Sequence, residues 1–137
     1  MIDLEIYLCG RCHIFARALH EALGYQIVWL FDDEAYRDDG SGPFRALVHA
    51  FCLNSANGRI DSTGEMRENG EADRTGNPED DFGWCNEPNY VQFSAKESRD
   101  AAIALKLPRP RNGEIDKLKA HILRHLEIYG AQVQKVP

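Results

Sequence analysis

The chain has 137 residues, 43% apolar and 28% charged, which is the size and balance of one globular domain rather than a disordered segment. Its net charge of −6 is unevenly spread: residues 1–93 carry 7 Lys/Arg against 17 Asp/Glu (−10), and residues 94–137 carry 9 against 5 (+4). This balance excludes a general nucleic-acid binder, no apolar run reaches the ~18 residues of a membrane span, and the acidic Met1-Ile2-Asp3-Leu4-Glu5 is not the basic start of a signal peptide.

Residues 3–8, with Leu4, Ile6 and Leu8 alternating, read as a short strand. Cys9-Gly10 interrupts it. Cys12, Phe15, Ala16, Leu19, Ala22 and Leu23 then follow helical spacing, so a helix is expected over Cys12–Leu23, stopped by Gly24. Residues 26–31 read as a buried strand, and Asp32 to Gly42 as an acidic loop. A strand over 44–53 turns through Ser55-Ala56-Asn57-Gly58 into a return strand, Arg59-Ile60-Asp61. Residues 64–89 are polar and acidic and read as a long loop. Tyr90-Val91-Gln92-Phe93 form a last strand. Ser94 and Glu97 make a capping box for a helix to about Leu105, and a final helix runs over Glu114–Tyr129 to Gly130. The expected fold is one α+β domain over residues 1–137. Residues 1–93 form its core, with the first helix on an antiparallel sheet, and residues 94–137 form a helical C-terminal extension.

The four cysteines, without an export signal, are expected as reduced thiols in a cytoplasm. Cys12 stands at the first turn of a helix, where unpaired N–H groups and the dipole favour a thiolate nucleophile. Gly10 gives a substrate backbone room to approach. His49, on the long strand, is placed to take the thiol proton, and Asp61, on the return strand, to orient His49. The expected turn pairs Leu53 with Ile60 and Cys52 with Asp61.

Gly10-x-Cys12-x-x-Phe15-Ala16-x-Ala18-Leu19, then His49, then Asn57-Gly58-Arg59-Ile60-Asp61-x-x-Gly64, resembles a compact papain-like or transglutaminase-like cysteine hydrolase across residues 9–64. The resemblance implies Cys12 as nucleophile, His49 as general base and Asp61 as orienter. It implies thiol-dependent hydrolysis or transfer at an amide of a protein or peptide substrate, without cofactor or metal. The family's side-chain oxyanion donor upstream of the cysteine has no Gln counterpart here, which leaves Tyr7 in that role. His13 and Trp84 are the remaining candidate substrate contacts, Trp84 as a wall of the cleft.

Three other readings stay open. Cys9-Gly10-Arg11-Cys12 between a strand and a helix is the setting of a thioredoxin-like or glutaredoxin-like dithiol, with Pro43 before a strand as a partial match to that fold's cis-proline. Zinc would draw on Cys9, Cys12 and two of His13, His49, Cys52 and Cys85, although a second C-x-x-C is missing. The last is a non-catalytic protein-binding module of bacterial or phage origin in which Cys12 is incidental.

Overall fold

Cys12–Leu23 forms the expected helix, α1, and Gly24 closes it in the left-handed region at φ +75°, its N–H donating to the His20 carbonyl. The structure, a computed structural model, describes residues 2–8, 10–65 and 85–130. Before α1 the chain departs from expectation. Leu4–Tyr7 is a 3-10 turn rather than a strand, because the Asp3 side chain accepts the Glu5 N–H and starts the turn. The turn tucks Tyr7 against Phe15, with ring centroids 5.6 Å apart.

The strands are β1 (Gln26–Ala35), β2 (Phe44–Leu53), β3 (Arg59–Asp61), β4 (Gly64–Glu65) and β5 (Pro88–Phe93). They form one antiparallel sheet in the order β4-β3-β2-β1-β5. β1 runs past the expected Phe31 because Asp32, buried among polar backbone, accepts the N–H groups of Asn86 and Glu87 and ties β5 alongside. The Gly42–Pro43 peptide before β2 is cis. After β5 come α2 (Ala95–Ala104), α3 (Glu114–Arg124) and α4 (Leu126–Tyr129). Ser94 and Glu97 form the capping box expected for α2. The expected last helix is two, broken where His125 leaves the helical region at φ −129°, ψ 50°.

Side chains alternate across the sheet, so its two faces carry different residues. Ile27, Trp29, Phe31, Ala50, Cys52 and Ile60 face α1 and form the main core with Cys12, Phe15, Ala16 and Leu19. Val28, Leu30 and Phe51 cluster on the other face. Ala50 and Cys52 are small, which lets the α1 backbone approach until the Cys52 thiol donates to the Ala16 carbonyl at 3.1 Å. Trp29, Phe15 and Leu19 are at most 1% exposed, and truncating such a residue costs about 2–5 kcal/mol. A bulge lies where Leu30 pairs with His49 but Phe31 pairs with Leu47. It turns Leu47 onto the α1 face, whereas simple alternation from the sequence grouped Leu47 with His49 and Phe51. No helix among the described residues is long and apolar enough to cross a membrane.

Candidate functional site

The three residues of the expected triad divide between the two faces of the sheet. His49 pairs in register with Leu30 and stacks on Phe51, centroids 6.1 Å apart at 19°, which sets it on the face away from α1. Asp61 is on that face too, because β3 pairs one residue off the expected register: Cys52 meets Ile60, not Asp61. The His49 Nε2–H donates to Asp61 Oδ2 at 3.0 Å, and Asp61 Oδ1 accepts from the Thr63 N–H and hydroxyl. His49 is fully buried and Asp61 is 2% exposed.

Cys12 lies in the core on the opposite face, 3% exposed, among the residues that contact α1. Each member of the expected pair has a partner of its own: the Cys12 thiol meets the Ala50 backbone, and His49 Nε2 meets Asp61, whose charge still reaches the thiol and disfavours the thiolate. The lowered thiol pKa is also reversed. Burial pushes Cys12 up to about 11, outweighing the backbone hydrogen bonds at Ala50, His13 and Cys12 itself that favour the thiolate. The helix terminus does act as expected, but desolvation is larger.

The other candidates separate in the same way. The Tyr7 hydroxyl donates to Glu114 Oε2 at 2.7 Å, so it is committed to a structural carboxylate rather than to an oxyanion. Burial and the Glu114 carboxylate hold it up at about 12. Glu114 also takes two hydrogen bonds from the Arg11 guanidinium and one from the Arg111 N–H. Burial alone would raise its carboxyl, but those donors hold it down at about 2. This cluster bolts the entry of α1 to the start of α3. Gly10 is exposed, and a Cβ built on it meets nothing within 4 Å. Trp84, Cys9 and most of the expected long loop (66–84) lie outside the described residues. Cys12 is a free thiol, and the strands among the described residues pair antiparallel; Cys9, the other half of the dithiol reading, lies outside those residues. No cluster of three or more metal-ligating side chains occurs among the described residues.

His13 leads elsewhere. With Trp29 it lines a cavity of about 260 Å³ between α1, β1, α2 and the connection at Leu107–Pro110. Ile14, Ala102 and Leu107 supply apolar walls, and Arg17, Arg99 and Arg109 stand around it. The His13 Nε2–H donates to the Pro108 carbonyl at 2.8 Å, which makes Nδ1 the acceptor of a neutral ring. Burial, the largest influence on it, lowers the His13 pKa and keeps the ring neutral. Nδ1 is buried and meets no hydrogen-bond partner among the described residues. The same holds for Nε1–H of Trp29, whose ring lies edge-on to His13 at 6.1 Å.

No family model, curated protein or solved structure matches the chain. The site must then be read from its own chemistry. The sequence points to His13, but leaves Trp29 as one residue of a buried strand and does not single out Arg17, Arg99 or Arg109. The one signal pointing that way was the +4 charge of residues 94–137, which supplies two of the three arginines.

Proposed function

We propose that this protein is a non-catalytic binding module that holds a compact ligand in the cavity between α1, β1, α2 and residues 107–110. The orphaned pair of ring nitrogens, Trp29 Nε1 and His13 Nδ1, carries this reading. A buried donor or acceptor without a partner costs about 1–3 kcal/mol. Both rings belong to the wall of the same hollow, so a ligand seated there lies beside an unpaired donor and an unpaired acceptor. The cavity is at the small end of ligand sites, which run ~300–1,000 Å³, and fits a single ring or a branched aliphatic group. Thiol acyl transfer, the chemistry expected from Cys12, is the weaker reading, because burial disfavours the thiolate and the thiol meets the Ala50 backbone while His49 Nε2 meets Asp61.

The test is a fragment titration followed in ¹H–¹⁵N spectra at the Trp29 indole N–H, assigned by its loss in Trp29→Phe. A saturable shift of that resonance with compact fragments is the expected result. Fragments at millimolar concentration that leave it unmoved overturn the proposal.

A further inference from the structure

The charge around the cavity runs against the charge of the chain. The protein is net −6, yet Arg17, Arg99 and Arg109 line this cavity and no carboxylate does. The three come from separate elements: Arg17 from α1, Arg99 from α2, and Arg109 from the connection before α3. The Arg17 Nε donates to Glu21 one turn along at 3.1 Å, on the exposed side of α1, which leaves its two terminal nitrogens uncommitted to that bond. Neither Arg99 nor Arg109 has an ion pair among the described residues. Arg109 is held by its backbone, whose carbonyl accepts from Arg11. Guanidinium groups that share a mouth repel one another and are stabilised by an anion between them.

We infer that the ligand of this cavity is a compact apolar acid. Its carboxylate or phosphate head meets Arg17, Arg99 and Arg109, and its hydrocarbon body lies against Trp29, Ile14 and Leu107. This inference rests on the cavity being a binding site and adds the charge of what it binds. The apolar walls hold the body of the ligand, and the arginines read its head. Such a ligand would be drawn in by a local positive field on an otherwise acidic protein, and salt would weaken that attraction.

Four probes of one size separate the possibilities: phenylacetate, phenyl phosphate, the neutral phenylacetamide and the cationic phenethylamine. Each is titrated into the full chain with the Trp29 indole resonance as readout. The acids should bind at least ~tenfold more tightly than the amide, with the amine weakest. Whichever acid binds better assigns the head as carboxylate or phosphate. Arg99→Gln and Arg109→Gln, both at exposed positions, should each weaken the acids severalfold and leave the amide unchanged. Raising salt from about 0.05 to about 0.5 M should weaken only the acids. Equal binding of acid and amide, or acids indifferent to both arginine substitutions, overturns the anionic assignment while leaving the cavity as a binding site. Failure of all four probes to move Trp29 overturns both.

Discussion

The imidazole of His49 donates to the carboxylate of Asp61 across 3.0 Å, and both side chains are sealed in the face of the sheet that α1 does not cover. A buried His–Asp pair is a familiar catalytic half; here His49 also stacks on Phe51, and Asp61 also takes the N–H and hydroxyl of Thr63. Its first consequence is therefore for stability. Asp61 serves at least three donors among the described residues, so Asp61→Ala should destabilise the fold by about 3–5 kcal/mol, measured by urea unfolding. His49→Phe in the Asp61→Ala background should cost far less than His49→Phe alone, because the partner is already gone. Additive effects of the two changes would show that the pair is energetically idle.

Cys12 should be a sluggish thiol. A pKa of about 11 against the ordinary 9.0 leaves a thiolate fraction at pH 7 about a hundredfold smaller, before burial limits reagent access. Alkylation by iodoacetamide, mapped by mass spectrometry, should be slow at Cys12 in the native protein and become ordinary in denaturant. Fast native alkylation at neutral pH would instead point to an exposed, activated sulfur.

Acid should unfasten α1 from α3. The Glu114 carboxyl sits at about 2 in the folded protein against 4.5 when free, so its stabilisation is fully present above pH 4.5. It is lost as pH falls from about 4.5 towards about 2, by up to about 3 kcal/mol. Glu114→Gln should lower stability at neutral pH and flatten this part of the pH profile. A variant that keeps the wild-type acid dependence would assign the loss to other carboxylates.

His13 gives a second pH dependence with its own window. Its folded pKa lies below the ordinary 6.5, so folding favours the neutral ring; stability is full above 6.5 and declines as pH falls below it. Arg11 also opposes protonation there, and the Pro108 carbonyl and Glu114 favour it, less strongly than burial disfavours it. The His13 ring resonances should titrate below those of an unfolded histidine, and a ligand that donates to Nδ1 should depress that titration further. A titration at or above 6.5 would mean that the ring is hydrated.

Local signals in the chain were legible where they depend on neighbours in sequence. The bounds of α1, its Gly24 stop, the Ser94–Glu97 box and the hairpin between β2 and β3 follow from spacing and turn chemistry. The 3-10 turn at Leu4–Tyr7 was missed because a few alternating apolar residues fit a strand as well as one turn, and the Asp3 cap decided it. The site was missed for a different reason. Alternation along β2 sets His49 apart from Ala50 and Cys52, but which of these two apolar faces receives α1 depends on side-chain size, and the smaller pair won. A slip of one residue in β3 then carried Asp61 to the His49 side. His13 and Trp29 meet only through the packing of α1 on β1, which no spacing in the sequence encodes.

β1 and β2 meet across a short connection, whereas β1 meets β5, with Trp29 opposite Val91, across an interval of chain that also holds β2, β3 and β4. Long loops close late and at greater entropic cost, so β5 is the last strand expected to dock. Helix α2 hangs from that strand by a single capping residue, Ser94, and forms one wall of the cavity. The floor of the cavity thus belongs to the local part of the fold, and this wall to the part whose pairing closes the longest loop. Undocking of β5 with α2 would open the cavity while leaving the β1–β2–β3 hairpins paired. Hydrogen exchange should register it as earlier release of the α2 amides than of those in β2.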